Sequence, residues 1–332
     1  MNVKEQKVTN IKEILASSSP ITLKTLFTAI YEFETNSDPN NLKLLIEKAL
    51  NQGININVQY NDSTLLYSAI IINSYDITKF ILEKGANVNF PQNFRGDVPL
   101  HSVIRGSNTT EQIRIAELLL QNGALIESKN EFDYTPVQNA VCNVVCKNKL
   151  EITKLFTKYG ANLEVVFPIS KFPKSSKEYN SDSGKNLIEL ASENEYELKA
   201  FLKLAIACNN KNFSIVDKSV TTEDIQKFAE WKISIKPENS KFFSKHLNEL
   251  CNLKNFLLTK ETFKESEFIG KIDDNLNPYS SLKNLLMFKM VEEPKIYEYK
   301  AGILPHDLID EFKDYELKLK GVVKPEESHS TT

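Results

Sequence analysis

The chain has 332 residues, 41% hydrophobic and 10% aromatic, enough to bury a substantial core and to exclude a wholly disordered polymer. Its formal net charge of -3 provides no basic excess for tracking phosphates, so nucleic acid is not an expected partner. Its 4 cysteines are too sparse for a secreted disulfide framework and fit a reducing, cytoplasmic setting.

Taken in chain order, residues 1–20 form a lead-in. Met1 to Lys7 opens into no apolar h-region, so no N-terminal signal peptide is read. No apolar run reaches the roughly 18 residues a membrane span requires. Residues 23–34 and 42–50 read as a pair of helices, closing on Gly53-Ile-Asn-Ile-Asn57. Three better-marked pairs follow. The first opens at Asp62-Ser-Thr-Leu-Leu-Tyr67 and closes at Gly85-Ala-Asn-Val-Asn89. The second opens at Gly96-Asp-Val-Pro-Leu-His101 and closes at Gly123-Ala-Leu-Ile-Glu127. The third opens at Asp133-Tyr-Thr-Pro-Val-Gln138 and closes at Gly160-Ala-Asn-Leu-Glu164. The closing glycines are 38 and 37 residues apart, a repeat that fixes the architecture before any single element does.

Each residue type in the motif has a physical task. Thr or Ser ahead of the first helix caps its free N–H groups, and Pro in the first turn gives up no hydrogen bond. Glycine suits the left-handed residue that ends the second helix. Phe80-Ile81-Leu82, Leu118-Leu119-Leu120 and Leu155-Phe156 supply the apolar face between neighbouring pairs. No pair buries that face alone, so the pairs must stack.

Past the third clear pair, residues 165–183 are a polar insertion with Pro168 and Pro173, read as an extended finger or loop. Gly184-Lys-Asn-Leu-Ile-Glu-Leu-Ala191 echoes the opening motif, with 196–207 as its second helix. From about residue 211 the repeat is lost. Segments 222–231, 240–258, 279–290 and 306–319 read as helices divided by Pro237, Pro278, Pro294 and Pro305. They predict a small helical C-terminal domain over 211–321, docked on the last repeat, then a disordered tail at 322–332.

The openings and closings resemble the Gly-x-Thr-Pro-Leu-His start and Gly-Ala-x-x-Asn end of ankyrin repeats. This chain departs from the pattern at Leu65, Val98 and Gln138. The ideal period is about 33, so the excess falls in the helix–helix turns near 107–112 and 144–149. The resemblance implies an all-α fold: an ankyrin-repeat solenoid of about five helix pairs over 21–208, degenerate at both ends, followed by the helical domain. It also implies a non-enzymatic, monomeric module that binds a protein through hairpin tips and the concave face of the first helices. Matched by position, the tips are Tyr60, Asn61 and Ser63, then Phe94, Arg95 and Asp97, then Glu131, Phe132 and Tyr134. The first-helix positions are Ile71, Ile72, Arg105 and Asn143, with Cys142 beside the last. Aromatic residues and an Arg at such positions have hot-spot composition.

Other chemistry is weaker. Cys142 and Cys146 are four apart, but zinc needs two further ligands and only His101 is near in the repeat. His246 and Cys251 lack an orienting third group. No phosphate-binding or metalloprotease motif occurs, so no cofactor or metal is expected. Leu304-Pro-His-Asp-Leu308 resembles the start of an F-box, which implies an alternative role in recruiting ubiquitin-ligase machinery; an unrecognised enzyme within residues 211–320 is the other alternative, since ankyrin units do not decide it. The tail Lys324-Pro-Glu-Glu-Ser-His-Ser-Thr-Thr332 resembles C-terminal signals of type IV secretion substrates. The whole then resembles ankyrin effectors of intracellular bacteria, which implies a host protein as partner and delivery into the host cell.

Overall fold

The structure is a computed structural model that describes residues 11–33, 38–92, 95–105, 110–143, 146–167, 184–192, 194–235, 240–263 and 267–276. Phe94, the Arg105 side chain, residues 168–183 of the insertion, the helices expected at 279–290 and 306–319, the segment at 304–308 and the tail lie outside these residues. The chain divides into two compact units, residues 1–202 and 203–332.

The first unit is a run of helix pairs. Helix α1 (Leu23–Tyr31) pairs with α2 (Pro39–Asn51), and α3 (Leu65–Ile71) with α4 (Tyr75–Glu83). Helix α5 (Pro99–Ser102), prolonged by a 3-10 turn at Val103–Arg105, pairs with α6 (Thr110–Gln121). Helix α7 (Pro136–Cys142) pairs with α8 (Lys149–Lys158). Helix α9 (Leu187–Leu190) precedes α10 (Tyr196–Asn210), which runs across the division into the second unit. First helices pack on first helices from α1 to α9, and second helices on second helices from α2 to α8, giving two layers. One short hairpin, β1 (Gln59–Tyr60) with β2 (Ser63–Thr64), pairs Gln59 with Thr64 and Tyr60 with Ser63.

Local chemistry sets these boundaries. The Thr22 and Thr64 hydroxyls accept the Thr25 and Tyr67 N–H groups, each at 3.1 Å. Thr135 and Gln138 form a reciprocal capping box, as do Asn186 and Glu189. Val98 has no polar side chain, and α5 begins without a side-chain cap. At the other end, Gly53, Gly85, Gly123 and Gly160 all take φ between +85° and +90°, the left-handed conformation that costs glycine little. The core between pairs is mostly aliphatic: Leu26, Ile30, Leu45, Ile46, Leu65, Ile77, Ile81, Leu119 and Ile152 are fully buried, joined by Phe156. Each such side chain contributes about 1.5–3 kcal/mol of transfer free energy.

The helix–helix turns differ in length. In the second pair, left-handed Asn73 (φ 55°) ends α3, and Ser74 caps α4 by accepting the Ile77 N–H at 3.4 Å. Only residues 72–74 separate those helices, whereas 143–148 separate α7 from α8. Polar side chains brace the longer connections: Gln112 Nε2 donates to the Val103 carbonyl at 2.6 Å, and Asn148 Nδ2 to Gln112 Oε1 at 3.4 Å. Lys149 opens α8 as a buried cation at the electropositive end of its helix, a poor position for it. Glu195 compensates from the last pair at 2.7 Å.

The second unit continues from residue 203. Helix α11 (Thr222–Ser234) begins with a capping box from Thr221 and Asp224. Helices α12 (Ser240–Leu258) and α13 (Glu267–Leu276) pack with it. The rings of Phe213 and Phe256 stack at 4.2 Å. Inside, Lys232 of α11 pairs with Glu249 of α12, both buried, and Asn252 Nδ2 donates to the Cys208 carbonyl at 2.7 Å. Burial, with the nearby Lys232 charge second, lowers the pKa of His246 to about 3, while burial pushes the Cys208 thiol up to about 12.

Two outcomes are expected. Glu195→Gln leaves Lys149 buried without its counter-charge and lowers the stability of the repeat unit by about 2 kcal/mol in urea titrations, while Lys149→Met costs less. His246 is neutral in the folded chain at a pH where the unfolded chain already binds a proton. The second unit therefore loses stability as pH falls from the unfolded value near 6.5 toward the folded value near 3. Between about pH 7 and about pH 5 this loss is about 2 kcal/mol, and His246→Gln should remove that share of it in urea titrations at the two pH values.

Candidate protein-binding surface

The loops that enter each first helix are built to hold a tip outward. In the β1–β2 hairpin Asn61 and Asp62 are both left-handed, with φ 48° and 58°, a conformation their short polar side chains tolerate. Both are exposed. The flanking residues face inward: the half-buried ring of Tyr60 lies 5.4 Å from that of Phe27, and buried Ser63 accepts the Tyr31 hydroxyl at 3.1 Å.

In the next loop Gln92 donates its N–H to the Asp97 carbonyl at 2.7 Å, and Gly96 turns between Arg95 and Asp97 at φ 62°. A Cβ on Gly96 would lie 3.0 Å from Glu131 Cγ, so adjacent tips leave room only for glycine without a shift. The carboxylate of Asp97, expected at the surface, is fully buried and accepts Asn130 Nδ2 at 2.8 Å. Asn130 organises the following tip as well, since its Oδ1 accepts the N–H groups of Phe132 and Tyr134, each at 3.0 Å. The Glu131 N–H donates to the Arg95 carbonyl at 2.9 Å and joins the two tips.

The side chains at this edge form a row. The Arg95 guanidinium lies 5.7 Å from the Phe132 ring, Phe132 lies 6.4 Å from Tyr134, and Tyr134 meets buried Phe167 edge-on at 4.8 Å. Arg95, Phe132 and Tyr134 are half-buried and Glu131 is exposed. The stem of the insertion adjoins them. The Phe167 N–H donates to the Lys185 carbonyl at 2.9 Å, the Gly184 N–H donates to the Phe167 carbonyl at 3.1 Å, and Val166 bridges Asn186. The described residues on either side of 168–183 thus pair with each other across it. On the first-helix side, Ile71 and Ile72 are half-buried at the end of α3, and Arg105 ends the turn after α5. Asn143 follows α7, half-buried like Cys142, and its Nδ2 donates to the Ile104 carbonyl at 3.5 Å.

The closing motifs have a different task. Asn57 Oδ1 accepts the Asn87 N–H at 2.7 Å, Asn89 Oδ1 the Leu125 N–H at 2.8 Å, and Glu127 Oε1 the Asn162 N–H at 2.7 Å. The last residue of the first three closing motifs thereby holds the backbone of the next pair. Comparison with known proteins identifies the architecture. The chain is 40% identical over 310 residues to an ankyrin repeat protein of Rickettsia bellii, covering 84% of this chain and 82% of the relative. A second R. bellii ankyrin repeat protein is 43% identical over 280 residues, covering 83% and 79%. One from Rickettsia felis is 34% identical over 236 residues, covering 69% and 81%. The chain belongs to the ankyrin-repeat family. No family model matches it. The likeness to the first relative spans more of the chain than its first unit of 202 residues and so includes part of the second. As an ankyrin-repeat protein, the chain is a protein–protein interaction module.

Within that module His101 is structural: it is fully buried and its Nε2 lies 2.7 Å from the Tyr134 carbonyl of the next repeat. Gln138, in the same motif position one repeat later, donates Nε2 to the Val166 carbonyl at 3.3 Å, so the substitution keeps a bond across the repeat boundary. Burial pushes the Cys146 thiol up, while Cys142 is half-buried. Among the described residues no group of three His, Cys, Asp or Glu is placed to hold a metal ion. On α12, His246 is buried and Cys251 exposed, so the two do not share a site. No helix among the described residues is long and apolar enough to cross a membrane.

The sequence reading missed Asn130 and the bonding role of Asn57, Asn89 and Glu127, although the recurrence of the latter three at the motif's end was visible. Asn130→Ala removes the acceptor for two tip N–H groups and a donor to a buried carboxylate. It is expected to cost about 2 kcal/mol in urea titrations and to broaden the Phe132 and Tyr134 signals in NMR spectra.

Proposed function

We propose that the chain is a bacterial effector that binds a host protein along the hairpin tips of its second to fourth repeats, with the concave first-helix face as a secondary contact. The observation that carries this reading is a division of labour. The closing side chains are spent on bonds between repeats, whereas Asn61, Asp62 and Glu131 are exposed and Arg95 and Phe132 partly so. A cation stacked beside an aromatic ring on a braced loop loses little entropy on binding, as anchoring residues require. Tyr60, Ser63 and Asp97 face inward, and their share is to hold the tips in place. Ile71, Ile72, Arg105, Asn143 and Phe94 complete the proposed surface by their positions in the repeat. The Rickettsia relatives fit the resemblance to effectors of intracellular bacteria, as does the polar, acid-bearing tail.

The test uses the double variant Arg95→Ala, Phe132→Ala, which spares the packed Tyr134 and buried Asp97. Tagged chain should capture a host protein from lysate. The variant, with an unchanged circular dichroism spectrum and melting profile, should bind the purified partner about tenfold or more weakly in calorimetry. Equal affinity would remove the tips from the interface. For the effector reading, a reporter fused ahead of the chain should reach the host cytosol only when residues 322–332 are present, and delivery without them would refute a C-terminal signal.

A further inference from the structure

The second helices of the four Gly-closed pairs end in cis, on their own glycine. The lead-in does not. Residues 11–16 are helical, and they run into Ser17-Ser-Ser-Pro20 with neither glycine nor asparagine to satisfy the last carbonyls. Those carbonyls are satisfied from outside the segment. Lys48 Nζ, on α2, donates to the carbonyls of Ile14 at 3.2 Å, Leu15 at 3.1 Å and Ser17 at 2.6 Å. The three ammonium donors are matched to three carbonyls at the electronegative end of a helix. One turn further along the same stripe of α2, Gln52 Oε1 accepts the Ile21 N–H at 2.8 Å. One turn before Lys48, Leu44 is 52% exposed.

We propose that residues 11–20 are a detachable end cap of the solenoid, hinged at the Ile21–Gln52 bond and latched by the Lys48 ammonium. The described helical residues 11–16 draw little stability from their own hydrogen bonds in water and are held mainly by docking. The cap has little apolar surface to hold it, since Ile14 and Leu15 are only half-buried while Ile21 beyond the hinge is buried. The latch therefore decides between a closed state and one that frees the Lys48 ammonium at the end of the first repeat. That opening lies at the low-energy end of the chain's motions and leaves the repeats intact.

Hydrogen exchange by mass spectrometry on the full chain tests this. In the native protein the amides of residues 15–19 should be protected, and in Lys48→Met, which keeps the stem and loses the donors, their exchange should quicken by about tenfold or more. The amides of α3 and α4 should be unchanged in that variant, and Lys43→Met on the same helix should alter neither region. Three results would overturn the proposal: fast exchange at 15–19 in the native chain, slow exchange there in Lys48→Met, or loss of protection spreading to α3 and α4.

Discussion

A side chain that reaches across a repeat boundary to a backbone N–H recurs through the first unit, and the stack depends on it. Asn57, Asn89 and Glu127 each do so at the end of a closing motif. Apolar burial drives neighbouring pairs together but does not say how far one slides along the other, because aliphatic contact is nearly indifferent to small shifts. A hydrogen bond at 2.7–2.8 Å has a narrow optimum in distance and angle, so it fixes that register. On the hairpin side His101 and Gln138 reach instead to backbone carbonyls of the next repeat. Between the third and fourth pairs both edges are pinned in this way, by Glu127 on one side and His101 on the other.

The same constraint explains what the ends of the solenoid require. A repeat at either end has one neighbour and must settle its remaining polar groups by other means. At the N-terminal end, Lys48 gathers the carbonyls of the lead-in. Near the last repeat, Glu195 accompanies a buried lysine that would otherwise stand charged and alone. Ion pairs at the exposed rim, such as Lys84 with Glu47 and Lys158 with Glu117, join neighbouring repeats but contribute less, since water screens them. The buried Lys149–Glu195 pair is better read as a specifying contact than as a net stabiliser: breaking it is costly, but an apolar pair of the same shape could serve the stability equally well.

The division of labour between closing motifs and tips also separates two kinds of substitution. Changes at Asn61, Asp62 or Glu131 fall on exposed side chains and alter what the proposed surface presents. Changes at Asn130 or Asp97 disturb the scaffold, because their polar atoms are buried and matched to one another. Two residues adjacent in sequence, Asn130 and Glu131, thus belong to opposite categories.

The amino-acid sequence by itself determined the repeat, because a left-handed glycine and an N-terminal cap are local requirements that leave local marks. It also determined that pairs must stack, since Ile81, Leu119 and Phe156 recur at the same place in each unit, and it placed the extra residues of the 37-residue step near the turn seen at 143–148, whereas residues 110–112, expected in the other turn, begin a helix. Only the tertiary structure decided which tip residues face out. Asp97 and Asn61 look alike as polar residues in a turn. Yet one is sealed by Asn130, 33 positions away in the chain, while the other stands in water. Lys48, Lys149 and Lys232 likewise read as surface lysines, and each proved to be committed to carbonyls or a carboxylate on a distant segment. Capping and periodicity are set by neighbours within a few residues, whereas burial and pairing are set by whatever the fold brings alongside, and no local pattern records that.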